Sequence, residues 1–356
     1  MKKKDNERFD APSTRYQGSK RRMVSWLKNI LVTLEFETVL DAFGGSGSIG
    51  FLFKSMGKEV SFNDILKSNS QTGIALIENK NVKLNVKDIE FIFNERKTES
   101  YPKLISKMYN GIYFLDEENI LLDKMIKNIE DLSLLYNGKT LRYKKALAYH
   151  NLFQSCLSKR PFNLFHRKNL NLRTSNVKRS FGNKKTWDKP FKDHFIKFNK
   201  EYSKFVFDNG KNNMVLNTDI FNINDKFDLV YFDPPYCRKD SCHPQNYAEM
   251  YHFLEGIMNY NTWEHNIDNS RVNKPFIFKK NTWDCNLISN FDNLFRKFSD
   301  STIVVSYGNK GKPTIQTIVK LMKKYKKTVI TKSIPYSYKL NRNNGKGYRE
   351  VIIIGK

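Results

Sequence analysis

Residues 229–236, Leu-Val-Tyr-Phe-Asp-Pro-Pro-Tyr, place a carboxylate, a rigid backbone and an aromatic ring in consecutive positions. The four apolar and aromatic residues predict a buried strand, and the two prolines end it. Asp233 therefore follows the carboxyl end of a strand, the edge at which open α/β sheets bind ligands. Pro235 keeps Pro234 extended, so the Pro234 carbonyl has a fixed direction beside the Asp233 carboxylate.

This arrangement suits a reaction at the exocyclic amino group of a nucleobase. Such an amino group is a weak nucleophile because its lone pair is delocalised into the ring. Two acceptors, the Asp233 carboxylate and the Pro234 carbonyl, can bind its two hydrogens and localise the lone pair on nitrogen. The Tyr236 ring can stack on a base that has left the duplex. By itself, the same pattern also fits a strand that ends in a solvated turn.

A glycine-rich turn, Asp41-Ala-Phe-Gly-Gly-Ser-Gly47, lies upstream, between a short predicted strand and a helix. Its glycines let the backbone approach a ligand, and the helix N-terminus favours an anionic group such as a carboxylate. The next predicted strand ends at Asp64, 17 residues after Gly47. An acid at this spacing can bind ribose hydroxyls, and the alternative role for Asp64 is a helix cap.

Taken together, the Asp-Pro-Pro-Tyr motif at 233–236 and the glycine-rich turn resemble the N6-adenine DNA methyltransferases. The order of cofactor motif, basic segment and catalytic motif is similar to that of the Dam-like subgroup. The resemblance implies S-adenosylmethionine as the cofactor and Asp233, Pro234, Pro235 and Tyr236 as the catalytic residues. Asp at the first motif position resembles the adenine enzymes, whereas Ser there would suggest N4-cytosine enzymes.

The resemblance also implies a cofactor site. Phe43 would lie beside the methionine part of the cofactor, and Asp219 would contact its adenine. Tyr16 and Lys20 match an N-terminal family segment that runs along the cofactor pocket. The full set of expected cofactor residues is Tyr16, Lys20, Asp41, Phe43, Gly45, Gly47, Asp64 and Asp219.

The resemblance implies an α/β fold with a Rossmann-like sheet of the S-adenosylmethionine-dependent methyltransferase type. We expect residues 15–76 and 212–356 to form the catalytic domain, and residues 77–211 to form a mainly helical, basic target-recognition insertion. Within the insertion, the apolar spacing at 141–157 predicts an amphipathic helix. Near the C-terminus, two apolar runs match the hairpin that closes methyltransferase sheets.

The chain is strongly basic, with 62 Lys and Arg against 36 Asp and Glu and a net charge of +26. Residues 141–200 contain 16 Lys and Arg but only 2 Asp. This concentration predicts a phosphate-binding surface, although charge alone does not separate DNA from RNA or an anionic membrane. The residues assigned to nucleic-acid binding are Lys159, Arg160, Arg167, Lys168 and Arg173. The aromatic residues that could pack, stack or wedge between bases are Phe162, Phe165, Phe181 and Trp187.

Other classes of protein fit the sequence poorly. No apolar run is long enough to span a bilayer and no signal peptide is evident, so we expect a cytoplasmic protein that does not bind a membrane. The four cysteines form no Cys-x-x-Cys pair and are expected to be reduced thiols. A zinc site at Cys237 and Cys242-His243 is not expected, and no metal is assigned. His252 is expected to be a packed or capping residue.

The resemblance implies a monomeric, site-specific enzyme that methylates N6 of a flipped adenine in double-stranded DNA. It further implies a restriction-modification system, in which a restriction endonuclease is paired functionally without a stable complex. Two alternatives remain open. One is an RNA or N4-cytosine amino-methyltransferase, and the other is a non-catalytic DNA-binding relative. The intact glycine-rich turn and Asp-Pro-Pro-Tyr motif argue against the latter.

Overall fold

Seven strands form one sheet in the computed structural model, which describes residues 10–97, 100–175, 184–237, 244–278, 283, 286–335 and 347–356. The strands are β1 (Thr38–Asp41), β2 (Glu59–Asn63), β3 (Met214–Leu216), β4 (Leu229–Phe232), β5 (Thr302–Gly308), β6 (Val329–Pro335) and β7 (Arg349–Gly355). Their spatial order is β3-β2-β1-β4-β5-β7-β6, with β7 antiparallel to both neighbours and every other adjacent pair parallel. The predicted α/β sheet and its closing hairpin are confirmed.

The strand order places three acids of distant segments together. Because β1 lies between β2 and β4, the chain connections diverge at β1 and leave a crevice at the carboxyl ends of these strands. Asp41 ends β1, Asp64 follows β2 and Asp233 follows β4. The three acids therefore meet at one edge of the sheet although they are far apart in the chain.

The described residues also form fifteen α-helices. They are α1 (Val24–Leu31), α2 (Ser48–Ser55), α3 (Lys67–Gly73), α4 (Val86–Phe93), α5 (Leu104–Met108), α6 (Asp116–Glu130), α7 (Gly138–Lys159), α8 (Asn171–Thr174), α9 (Lys184–Asp188), α10 (Phe191–Tyr202), α11 (Tyr247–Met250), α12 (His252–Met258), α13 (Tyr260–Trp263), α14 (Leu287–Lys297) and α15 (Ile315–Met322). Short 3-10 segments cover Lys20–Met23, Asp131–Leu134, Pro161–Asn163, Ile220–Asn222 and Glu264–Asn266, and a π segment covers Ile74–Glu78. None of the helices in the described ranges is both long and apolar enough to cross a membrane.

Both faces of the sheet are covered, because successive side chains of each strand point to opposite faces. Val39 and Leu229 pack with α1 and α2 on one face. Leu40 and Val230 pack with α14 and α15 on the other. The edge at which the three acids meet is thus held by strands that are buried on both sides.

A third hydrophobic core lies among the helices between β2 and β3. Within residues 79–213, the described parts contain helices and no strand, as expected for the insertion. Phe253 and Trp263, which follow β4 in sequence, are fully buried in this same core. Helices α12 and α13 therefore complete the core of the insertion rather than covering the sheet.

Helix α7 differs from its prediction. Every residue from Ala146 to Lys159 is buried, so a single apolar stripe describes only the first half of the helix. The second half crosses the centre of the helical core, where α3 and α10 pack against it. Its serine hydroxyls donate hydrogen bonds of 2.7 Å to carbonyls one turn earlier, which lets a polar sequence be buried at low cost.

Candidate active site

A cavity of about 1260 Å³ opens at the carboxyl ends of β1, β2 and β4. Four segments contribute to its wall, which are the N-terminal segment with Tyr16 and Lys20, the glycine-rich turn, the Asp-Pro-Pro-Tyr motif and part of the insertion. The sequence-predicted residues that line it are Tyr16, Lys20, Asp41, Phe43, Gly45, Asp64, Arg167, Asp219, Asp233, Pro234, Pro235 and Tyr236. The structure thus brings the proposed catalytic and cofactor residues into one space.

Asp233 is held by an ion pair at the cavity wall. Lys20 Nζ donates to Asp233 Oδ1 at 2.8 Å, and the Lys20 side chain is 4% exposed. Burial raises the pKa of Asp233 to about 6, while Lys20 opposes this rise and Glu350 adds to it. Lys20 lines the cavity, and its ammonium contacts the Asp233 carboxylate, a partner that the sequence did not reveal.

Aromatic residues fix the rest of the motif. Trp283 Nε1 donates to the Pro235 carbonyl at 2.6 Å. The Tyr236 ring lies 4.8 Å from the Tyr307 ring, and its hydroxyl is 2.9 Å from the Tyr348 hydroxyl. Trp283 and Tyr348 were missed by the sequence analysis, because neither lies in a recognisable motif.

The glycine-rich turn is shaped by two positive φ angles. Gly45 has φ +50°, and a Cβ there would lie 3.4 Å from the Tyr16 ring. Gly47, at φ +74°, precedes α2 as its N-cap. Gly47 is not among the residues that line the cavity, so its contribution is to turn the chain into the helix.

Asp64 joins the glycine-rich turn to α3. Its carboxylate accepts hydrogen bonds from the Gly45 amide at 2.8 Å, the Leu66 amide at 2.9 Å and Asn69 Nδ2 at 3.1 Å. Burial raises the pKa of Asp64 to about 6. The side chain thus braces the glycine-rich turn against α3, but the N-cap of that helix is Leu66, so Asp64 is not the helix cap that was the alternative to ribose binding. Asp64 also lines the cavity.

Asp41 is the most deeply buried acid in the cavity wall, at 1% exposure. Its Oδ2 is buried and has no hydrogen-bond partner among the described residues. Burial, reinforced by the charge of Asp233, raises the pKa of Asp41 to about 8. An unsatisfied carboxylate oxygen of this kind is suited to a ligand that brings a hydrogen-bond donor or a positive charge.

Three of the five residues assigned to nucleic-acid binding have a different role, which corrects the prediction. Lys159 and Arg173 are 1% and 4% exposed. Both pair with Glu118, Lys159 at 2.7 Å and Arg173 through two hydrogen bonds of 2.7 and 2.8 Å. Their charges are used inside the insertion, so a DNA phosphate cannot reach them in this conformation.

Arg160 is the third corrected residue, at 1% exposure. Its guanidinium donates to the carbonyls of Leu164, Arg167 and Lys168 at 3.1, 2.6 and 2.9 Å. It also lies over the Tyr113 ring, 4.5 Å from the centroid. Residues 161–170, which we call the recognition loop, are therefore held around the Arg160 side chain by these hydrogen bonds.

The recognition loop presents other residues outward. Arg167 and Lys168 are exposed, and Arg167 reaches the cavity wall. Phe162 is 47% exposed, has φ +64° and also lines the cavity. Phe165 and Trp187 are buried in cores and cannot act as wedges, while Phe181 lies outside the described residues.

The remaining candidates have structural roles or lie in undescribed parts of the chain. His252 is packed as predicted, with Nε2 2.7 Å from the Tyr113 hydroxyl, and burial lowers its pKa to about 3. Cys237 is buried, whereas Cys242 and His243 lie outside the described residues. In the described parts of the chain, no group of three His, Cys, Asp or Glu side chains could hold a metal ion.

Comparison with known proteins agrees with this geometry. The Type II methyltransferase M2.HphI of Haemophilus parahaemolyticus is 27% identical over 355 residues, which cover 96% of this chain and 97% of the relative. The family model of the D12 class N6 adenine-specific DNA methyltransferases matches residues 16–307. Both the Asp-Pro-Pro-Tyr motif and the glycine-rich turn lie inside that match. The chain therefore belongs to the D12 class of N6 adenine-specific DNA methyltransferases.

Proposed function

We propose that this protein transfers a methyl group from S-adenosylmethionine to N6 of an adenine that is flipped out of a double-stranded DNA site. The observation that carries the proposal is the single cavity in which the Asp233 carboxylate and the Tyr236 ring adjoin the acids at the ends of β1 and β2. One half of such a cavity suits a flipped base and the other suits a nucleoside cofactor.

The residues of the cofactor half fit S-adenosylmethionine. With a pKa of about 8, Asp41 is mostly protonated at neutral pH without a ligand, and the positive amino group of the cofactor would favour its ionised form, in which Oδ2 accepts from that group. Asp64 can accept from the ribose hydroxyls. Gly45 leaves room for the ligand to approach the backbone. When bound, the cofactor supplies an electrophilic methyl group.

The base half orients the nucleophile. With a pKa of about 6, Asp233 is ionised at neutral pH and can act only as an acceptor. Lys20 occupies Oδ1, which leaves Oδ2 for an amino hydrogen of adenine. The Pro234 carbonyl accepts the second hydrogen, and Tyr236 stacks on the ring. Holding the nitrogen in this geometry beside the methyl donor supplies much of the rate.

The DNA duplex would approach the recognition loop at the mouth of the cavity. Arg167 and Lys168 are placed to contact phosphates or base edges. Phe162 is the aromatic residue of this loop that can reach the space left by the flipped base. We propose that α12 and α13 belong to the target-recognition part of the protein together with the insertion, because they share its hydrophobic core.

The similarity to a Type II methyltransferase supports a role in a restriction-modification system. In such a role, the protein acts as a monomer and protects the sites that a separate endonuclease cuts. Membership of the N6 adenine-specific DNA class argues against the alternative of an RNA or N4-cytosine substrate.

Expression in a methylation-free host, followed by genome-wide detection of modified bases, tests the function. N6-methyladenine confined to one short sequence is the expected result. N4-methylcytosine, methylated RNA alone or an unmodified genome would each overturn the proposal.

Asp64→Ala is expected to raise the Kd for S-adenosylmethionine by about 5- to 150-fold, because losing the ribose hydrogen bonds costs about 1–3 kcal/mol. Isothermal titration calorimetry measures the change. Asn69→Ala is the control, since it removes one donor to Asp64 and keeps the carboxylate. An unchanged Kd together with a lower Tm in Asp64→Ala would show that Asp64 only braces the glycine-rich turn and does not bind the ribose.

Salt dependence separates the exposed from the buried basic residues. If Arg167 and Lys168 contact phosphates, Arg167→Gln and Lys168→Gln should each lower the slope of log affinity against log salt by about one. A variant that loses a base contact should instead weaken only the cognate site, by about 1–3 kcal/mol. Fluorescence anisotropy with cognate and scrambled duplexes distinguishes these outcomes.

Arg160→Lys and Arg173→Gln are the matched controls for this series. Both should lower the Tm and keep the salt slope, because their charges are used inside the insertion. Unchanged slope and site preference in both Arg167→Gln and Lys168→Gln would show that the recognition loop does not lie on DNA.

A further inference from the structure

Glu350 is a fully buried carboxylate in a strand that is otherwise apolar at its centre. It lies in β7, whose next four residues are Val-Ile-Ile-Ile. A buried acid is expensive unless it is paired and hydrogen-bonded, so this position calls for a specific set of partners.

The partners of Glu350 lead in two directions. Its Oε1 is 3.2 Å from Lys20 Nζ and accepts a hydrogen bond of 3.0 Å from Ser306 Oγ. Lys20 in turn donates to Asp233. The other oxygen of Glu350, Oε2, accepts from the Tyr348 hydroxyl at 3.4 Å, and that hydroxyl is 2.9 Å from the Tyr236 hydroxyl. One carboxylate is thus connected to both ends of the Asp-Pro-Pro-Tyr motif.

The neighbouring backbone leaves room for the second branch. Gly308 is the residue of β5 that pairs with Glu350 across the sheet. A Cβ at Gly308 would come within 2.3 Å of the Tyr348 hydroxyl and 3.2 Å of the Tyr236 hydroxyl. Glycine at this position therefore allows the two hydroxyls to meet.

We propose that Glu350 is a positioning residue for methyl transfer, which holds Asp233 through Lys20 and Tyr236 through Tyr348. The proposal rests on the adenine methyltransferase function proposed above and deepens it. With Glu350 in place, the Lys20 ammonium stays against Asp233 Oδ1, and the Tyr236 ring keeps the orientation needed for stacking. Neither branch brings Glu350 into contact with the base.

Replacing Glu350 by glutamine keeps the shape of the side chain and removes its charge. In Glu350→Gln, we expect kcat to fall by about 10- to 100-fold, while the Kd values for S-adenosylmethionine and DNA stay within about threefold. We expect kcat to fall because the Asp-Pro-Pro-Tyr motif acts on the amino group during the reaction. The Kd values stay similar because the residues that bind the cofactor and DNA are unchanged in this variant.

The pH profile provides a readout that a merely structural role would not move. The charge of Glu350 raises the pKa of Asp233, so its removal should lower that pKa and shift the acid limb of kcat to lower pH. The segments that pack around Asp233 carry four charged or titratable groups near it, which are Lys20, Asp41, Tyr231 and Glu350. Only Glu350 changes in this variant, so the shift reports on it.

Asp228→Asn is the matched control, because its carboxylate braces the opposite end of the same sheet through the Glu37 and Thr38 amides. It should lower the Tm without moving kcat or the acid limb. Ser306→Ala and Tyr348→Phe keep the Glu350 charge and each remove one of its hydrogen-bond donors. Each should lower kcat by a few fold, which keeps the proposal testable if Glu350→Gln does not fold.

The outcomes separate this proposal from the proposed function. Wild-type protein that yields no N6-methyladenine overturns the function itself. An active wild type with a Glu350→Gln variant of equal kcat and equal acid limb overturns only the role of Glu350. If that variant does not fold, wild-type kcat in both Ser306→Ala and Tyr348→Phe overturns it.

Discussion

Replacement of Asp233 by alanine is expected to lower kcat for adenine methylation by about 10²- to 10³-fold or more, the cost of removing a preorganised polar contact to the reacting group. The Kd for S-adenosylmethionine should stay within a few fold, because Asp233 acts on the base. Transfer of labelled methyl under single-turnover conditions measures the first quantity, and calorimetry measures the second.

Two results would refine or reject this assignment. Asp233→Asn keeps the shape of the side chain but exchanges one acceptor for a donor and weakens the contact with Lys20, so its loss of kcat should approach that of alanine. A loss of cofactor binding equal to the loss of activity would instead place Asp233 in the cofactor site.

The ionisation of Asp233 sets the expected pH dependence of the wild-type enzyme. Burial raises its pKa to about 6, so the carboxylate is ionised above that pH and protonated below it. Protonation turns one acceptor oxygen into a donor, and kcat at saturating cofactor should therefore fall as the pH drops through about 6. Protonation of Asp64 should be seen in the KM for S-adenosylmethionine instead. A kcat that is flat from pH 8 to 5 would contradict this role of Asp233.

Tyr236→Ala should be the second most damaging change. Stacking of a base on an aromatic ring contributes about 1–3 kcal/mol, which corresponds to roughly 5- to 150-fold in activity. The loss should be larger on a matched duplex than on one with a mismatch at the target adenine, where flipping already costs less. Single-turnover rates on the two duplexes give the comparison.

Tyr236→Phe is the control for the ring. It keeps the stacking surface and removes only the hydroxyl that meets Tyr348. Its loss should therefore be smaller than that of alanine. Equal losses for Tyr236→Ala on matched and mismatched duplexes would remove the stacking role.

Sequence alone determined the parts of this protein that depend on neighbouring residues. Apolar runs ended by Asp41, Asp64 and Asp233 define strands and the polar groups at their carboxyl ends, because a buried strand must be apolar and its end must turn. The Pro-Pro pair and the glycine-rich turn restrict the backbone locally. From these features the α/β sheet, the family and the residues at the strand ends that line the cavity could be predicted.

The tertiary structure alone decided how the charges are used. Lys20 and Glu350 meet although they lie at opposite ends of the chain, and Arg173 meets Glu118 across the insertion. The sequence does not distinguish an exposed arginine such as Arg167 from one that is buried against backbone carbonyls, such as Arg160. Its function depends on desolvation and on partners brought together by packing, and these are properties of the folded chain rather than of any local segment.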